Sequence, residues 1–248
     1  MQCFRALWPA GLKFGPGLGI FLILLFGIPR FMLVLGASSG NGYSHVSLLF
    51  LAMWIVPFLL LNKKGLHLIG LRRPALAKWW GISLFLGFLA CLIIYVTGFN
   101  LYGNDLSNWF VYIARSYRGA VPLDIASHRT VVFLIFAGIG ITFSPIGEEL
   151  LYRGLIHQCF VPRLGENKAS IIDSSAFAIS HLAHFGILYT AGGWEFRWVP
   201  AFLWVLLMYM TGRLFFYCKD RGGSLYMAVV CHAGFNLAMN YFICFYLL

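Results

Sequence analysis

Charge is what this sequence has least of. Asp and Glu number 8 in 248 residues and all charged residues make up 10%, where a water-soluble domain carries about 25%. With 60% hydrophobic and 18% aromatic residues and a mean hydropathy of +0.82, that deficit excludes a soluble enzyme, a disordered protein and a fibrous repeat. The six cysteines contain no C-x-x-C pair, and most sit inside or at the ends of apolar stretches, which argues against a disulfide framework or a zinc ribbon. There is no H-E-x-x-H, no recurring ten-residue alternation of the outer-membrane barrel kind and no internal repeat of the kind many transporters carry. No Ser or Cys has the neighbours that would make it a nucleophile. The positive excess, 18 Lys and Arg for a net +10, is scattered between apolar runs rather than gathered on one face. That pattern suits orienting helices in a bilayer and does not suit nucleic acid as a partner.

What the sequence has in abundance is long apolar runs. A membrane-spanning helix needs about 20 mostly apolar residues, and seven candidate segments emerge: Leu18 to Leu35, His45 to Leu61, Trp79 to Phe99, Thr130 to Phe160, Ala169 to Leu188, Pro200 to Cys218 and Leu225 to Leu248. The first is read as a retained helix, Ala37-Ser38-Ser39 being the only small-residue run that suggests a cleavage site. With the N-terminus inside, the inner segments hold Arg5, Lys13, Lys63, Lys64, Arg72, Arg73, Lys78, Arg163, Lys168, Lys219 and Arg221, and the outer ones only Arg115, Arg118, Arg129 and Arg197. The expectation is an all-α polytopic helical bundle of about seven transmembrane helices, N-in and C-out. The stretch from Asn100 to Arg129 is too polar to span, and its Trp109, Phe110, Tyr112 and Ile113 fit a short interfacial helix or a loop equally well.

Ionisable residues inside such runs need a reason, because one at mid-membrane costs about 2.5 to 3.5 kcal/mol. The fourth segment, SPIGEELLYRGLIHQ, carries Glu148, Glu149 and Arg153. Glu149 and Arg153 are one helical turn apart and can pair, which leaves Glu148 free on a neighbouring face. Pro145 just upstream is expected to kink the helix. The fifth segment places Phe177 and His181 one turn apart, with His184 following near the outer end, where a histidine calls for no functional role. The seventh has His232, Asn236 and Asn240 at four-residue spacing, a polar stripe whose Asn240 reads as interhelical hydrogen bonding. At 1.5 Å per residue, Glu148 lies about 18 Å from Phe160, His181 about 20 Å from Lys168, and His232 and Asn236 about 12 and 18 Å from Ser224. Three polar clusters thus fall in one buried layer. Together they hold a base, a proton carrier and donors for an oxyanion. A structural clamp of charges is the plain alternative for Glu148, Glu149 and Arg153.

These residues resemble the three motifs of the CPBP family, which takes in CAAX prenyl endopeptidases and bacteriocin-immunity, Abi-like membrane proteins. The motifs are E-E-x-x-x-R at Glu148, Glu149 and Arg153, F-x-x-x-H at Phe177 and His181, and H-x-x-x-N at His232 and Asn236; Gly154 and the run Gly70 to Pro74 are similar too. The resemblance covers residues 70–248, taken as a catalytic helical core, with residues 1–69 as N-terminal membrane helices of the same membrane domain. It implies an intramembrane endopeptidase with a chamber open to the cytoplasmic side, acting on a membrane-associated protein or peptide. Glu148 and His181 would activate a water, His232 and Asn236 would stabilise the oxyanion, and Glu149 with Arg153 would hold the helix and tune Glu148, with Phe177 in support. No cofactor is expected. The alternative is a zinc ion held by Glu148, His181 and His232, and the non-enzymatic alternative is a transporter or scaffold that uses the same buried charges. The expected location is the cell membrane, the inner one in a bacterium.

Overall fold

The computed structural model describes residues 3–9, 11–41, 44–120 and 125–248. Nine α-helices occur among them. The first four are α1 (Pro16–Gly36), α2 (Ser44–Leu60), α3 (Lys63–Leu68) and α4 (Lys78–Tyr102). The other five are α5 (Trp109–Ala120), α6 (Ile125–Glu149), α7 (His157–Ser180), α8 (Trp198–Gly222) and α9 (Leu225–Phe242). Their ends follow ordinary signals. Pro16 opens α1, where its missing N–H is no loss. The Asn62 side chain accepts from the Gly65 N–H at the start of α3, and Ser224 accepts from the Tyr226 N–H at the start of α9. Gly223, at φ 65°, closes α8 in the left-handed region.

Polarity is distributed inside out. Phe21, Phe85, Leu134, Phe202 and Trp198 are exposed, while Arg30, Glu148, Glu149, Arg153, His157 and Asp173 are buried. In water such an exposed apolar surface would aggregate; in hydrocarbon it is the solvated face. Among the described residues five helical stretches are long and apolar enough to cross a membrane: Pro16–Ser39, Lys78–Tyr102, His128–Ala183, Trp198–Gly222 and Leu225–Leu247. The protein is therefore a helical, multi-pass membrane protein. The helix in the second expected segment is shorter, 17 residues from Ser44 to Leu60. The fourth and fifth expected segments form one helical run, broken at Gly165, whose φ of 75° suits a residue without a side chain.

At the centre stands α9, packed against α4, α6 and α8. It meets α4 at backbone distance, because a Cβ on Gly87 would strike the Cys231 carbonyl and one on Gly234 the Leu84 carbonyl. Small residues are how helices approach closely in lipid, where tails already solvate larger ones.

Three local expectations need correction. Pro145 lies within α6 without a break in its dihedrals; the irregularities are a non-helical His128 and a π-helical turn over Leu150–Ile156. The fifth segment does not stay helical to Leu188. After Ser180 comes a 3₁₀ turn, His181–Ala183, and then a hairpin of β1 (Ile187–Thr190) and β2 (Gly193–Phe196). Gly186 at φ 118° and Gly193 at φ 105° turn the chain there. Lastly, α5 is a helix, but Trp109, Phe110 and Tyr112 are buried in the core rather than laid on an interface, and the Tyr112 hydroxyl accepts from the Tyr189 N–H at 2.9 Å. Residues 121–124 of the polar stretch, and the side chain of Arg118, lie outside the described residues.

Candidate active site

Glu148 and Glu149 end α6 and, being adjacent on a helix, point to different neighbours. Both are fully buried. Glu149 Oε1 lies 3.2 Å from Arg153 Nη1, the pair expected one turn apart, and also accepts from His232 Nδ1 at 2.9 Å. Glu148 is not free. Arg30, from the middle of α1, brings Nη2 to 2.6 Å from Glu148 Oε1, an ion pair without hydrogen-bond alignment at either carboxylate oxygen. His232 Nε2 is 3.9 Å from Glu148 Oε2.

The two histidines of the motifs are oriented by backbone and carboxylate partners. His181 Nδ1 is 2.8 Å from the Phe177 carbonyl, so it carries the ring proton and Nε2 is the acceptor, 3.3 Å from Arg30 Nη2. The carbonyl of His181 is itself tied by Trp204 Nε1 at 2.9 Å. His232 donates from Nδ1 to Glu149, so it can donate from Nε2 only as a doubly protonated ring. Its face stacks on Phe215 at 4.6 Å, and Phe177 lies 4.2 Å from the His181 ring. Asn236 uses one amide hydrogen on the Gly140 carbonyl at 2.8 Å and has a second to give. Asn240 makes the interhelical bond expected of it, accepting from the Tyr117 hydroxyl at 2.9 Å.

A cavity of about 310 Å³ opens onto these groups, its wall including Arg30, Phe177, His181, His184, His232 and Asn236. Most of the remaining wall is apolar, as a site for an apolar or lipid-bearing ligand requires. Glu148 sits immediately behind Arg30 and His232.

Behind Glu149 runs a second set of ionic contacts that sequence reasoning missed. Arg153 Nε is 3.5 Å from Asp173 Oδ1, and its guanidinium lies 4.3 Å over the Phe177 ring. His157 is held between two carboxylates, Nδ1 at 2.7 Å from Asp173 and Nε2 at 2.7 Å from the exposed Glu166. Lys219 donates to the Arg153 carbonyl at 2.6 Å. The signal was present: Glu149, Arg153 and His157 recur every four residues, as do Asp173, Phe177 and His181. Arg30 was equally legible. It is 30 − 16 = 14 residues from Pro16, about 21 Å at helical rise, and so in the layer of the other groups.

Among the described residues no set of three His, Cys, Asp or Glu side chains converges as metal ligands. The Arg30 guanidinium stands between Glu148 and His181, two of the three alternative zinc ligands, so this donor set as arranged does not fit a zinc shell.

No curated protein and no solved structure matches the chain. Residues 130–238, from α6 into α9, match the family described as Type II CAAX prenyl endopeptidase Rce1-like. The matched stretch contains Glu148, Glu149, Arg153, Phe177, His181, His232 and Asn236 but not Arg30. The three motifs thus meet an independent match in the same stretch, and over residues 130–238 this chain is similar to the Rce1-like type II CAAX prenyl endopeptidases.

Proposed function

We propose that this protein is an intramembrane endopeptidase that hydrolyses a peptide bond in a membrane-associated protein or peptide, with prenylated CAAX-type chains as the first candidates. One observation carries the reading: His181, His232 and Asn236 line one cavity, and Glu148 and Glu149 lie directly behind His232, all five coming from three distant parts of the chain inside the stretch that matches the endopeptidase family. In the proposed reaction Glu148 takes a proton from water while His181 Nε2 accepts its other hydrogen bond. The hydroxide forms a bond to the scissile carbonyl carbon, and the resulting oxyanion is held by the free amide hydrogen of Asn236 and by protonated His232. Collapse breaks the C–N bond as Glu148 returns its proton to the leaving amine, yielding a carboxylic acid and an amine, between which a further proton passes to give carboxylate and ammonium. Glu149 acts by fixing His232, and Arg153 by fixing Glu149. The reaction needs no metal in this reading.

The run broken at Gly165 supplies two crossings, and counting α2 the bundle then has seven, N-in and C-out by the distribution of Lys and Arg. A probe at Leu248 labelled only from the cytoplasmic side would overturn that orientation. The function is tested with reconstituted protein and a prenylated CAAX peptide carrying a fluorophore and quencher. Cleavage by wild type and not by Glu148→Gln is the expected result. Equal cleavage by both would reject Glu148 as the base. Substrate-independent ion or solute flux with no cleavage would favour the transporter instead.

A further inference from the structure

Arg30 is the one charged residue of α1 and lies outside the stretch that matches the family. It is 1% exposed, forms part of the cavity wall, and its Nε–H is buried without a partner. Its Nη2 stands 2.6 Å from Glu148 Oε1 and 3.3 Å from His181 Nε2. Those two atoms are the acceptors that the proposed reaction needs around its attacking water, and Arg30 Nη2 lies in contact with both, as an ion pair with the first and within hydrogen-bond reach of the second. A guanidinium nitrogen therefore occupies the nucleophile's place. The tautomer of His181 agrees, because with Nδ1 committed to the Phe177 carbonyl the Nε2 lone pair faces Arg30.

A second set of partners is already in place for the same guanidinium. Nη1 donates to Ser180 Oγ at 2.8 Å, and His184 presents Nε2 at 3.4 Å from Nη2. Ser180 gives its own proton to the Phe177 carbonyl at 2.7 Å, so its oxygen is left to accept. A small rotation about Ser180 would take Nη2 off Glu148 and onto His184, leaving room for water between Glu148 and His181. The helix that bears it is suited to small adjustments. Pro29, immediately before Arg30, removes one i→i−4 hydrogen bond, and the outer face of α1 at Phe21, Leu24, Ile28 and Met32 is exposed and unpacked by protein.

We propose, on the reading of the site given above, that Arg30 is a gate for the nucleophile: Nη2 holds the water's position in the resting enzyme, and cleavage requires it to swing from Glu148 to His184 while Nη1 stays on Ser180. The gate keeps a strong hydrolytic pair idle until substrate enters. It also gives His184 a task, as the partner that receives the guanidinium in the open position.

The test uses full-length protein in liposomes and the prenylated peptide. Minor open states are commonly populated at about 1–10%, so removing the gate raises kcat/KM by about tenfold or more. Arg30→Ala is expected to show that rise. Low-millimolar guanidinium chloride, which can enter the vacated space beside Glu148, is expected to inhibit the Ala variant and leave wild type unchanged. The opposite pattern, an Ala variant slower than wild type and restored by guanidinium, would overturn the gate and make Arg30 a charge the reaction uses. An unchanged rate with no response to guanidinium would overturn it as well. Thermal melting checks that the Ala variant is folded. Should it not fold, Arg30→Gln keeps a donor for Ser180 without the cation, and a folded Gln variant more than tenfold slower than wild type also rejects the gate. His184→Leu should lower kcat in the wild-type background and have no effect in the Arg30 variant, a coupling that a merely structural histidine would not show. Activity of Glu148→Gln is read in parallel: cleavage by it rejects the base assignment whatever the Arg30 variants do.

Discussion

Two ionic clusters lie side by side in this protein, built from the same residue types, and each leaves buried polar atoms without a hydrogen-bond partner; they differ in which of them faces the cavity. In the cluster behind the cavity, His157 has both ring nitrogens 2.7 Å from carboxylates and Asp173 also accepts from Ser174 at 3.2 Å, while Arg153 Nε and Nη2 are buried without a hydrogen-bond partner and away from the cavity wall. In the cluster at the cavity, Glu148 has an ion pair but no aligned hydrogen bond, and Arg30 leaves its Nε–H unpaired. A buried polar atom without a partner needs an explanation, and one beside a cavity has room next to it for a water or a ligand. Charge alone does not distinguish a working site from a clamp. Access to a cavity does.

The comparison breaks first at Glu148. Glu148→Gln should lower cleavage by about 10² to 10⁴, the loss of a general base, while its melting temperature falls only modestly, since Gln keeps the volume of the side chain and Glu148 makes no aligned hydrogen bond that the change would break. Turnover above about a tenth of wild type would put Glu148 with the clamps. Asn236→Ala should lower kcat by about 10² to 10³ with KM little changed, as for a lost oxyanion donor; a change confined to KM would make Asn236 a substrate contact instead.

On the clamp side the expected losses are of stability. Arg153→Ala strands Glu149 and Asp173 and removes a cation from the Phe177 face, so it should destabilise by about 3 to 5 kcal/mol. Its melting point in detergent should lie below that of Glu148→Gln, and the reverse order would exchange the roles of the two clusters. Asp173→Asn keeps the volume but weakens the bonds to His157 and Arg153, with an expected loss of about 1 to 3 kcal/mol and near-normal kcat in the folded fraction. A collapse of kcat at unchanged stability would draw this cluster into the chemistry. The smallest expected effect is that of chelation: dialysis against a strong chelator should leave turnover unchanged, and zinc that tracks activity on removal and return would restore Glu148, His181 and His232 as ligands.

Much of the site was legible because helical geometry is local. Glu149 and Arg153 are four residues apart, and any helix brings such residues together whatever surrounds it. The layer shared by Glu148, His181, His232 and Asn236 followed from rise per residue and a bilayer of known thickness. The hairpin after Ser180 is not legible in the sequence, because an apolar run bounded by glycine has the same hydropathy as a helix end. Only the positive φ of Gly186 and Gly193 turns it back.

Composition and spacing were enough to establish a helical membrane protein and to identify its motif residues, since a bilayer accepts few structures and a helix repeats every 3.6 residues. Which helix stands beside Glu148 is another matter. Arg30 lies 148 − 30 = 118 residues away, and nothing in the pattern of either segment selects the other. That contact comes from the packing of α1 on α7, where Gly19 leaves room for the Phe160 ring and the Cys159 side chain. Close packing of side chains is a property of the assembled bundle, and it alone turns the unpaired glutamate of the sequence into a guarded one.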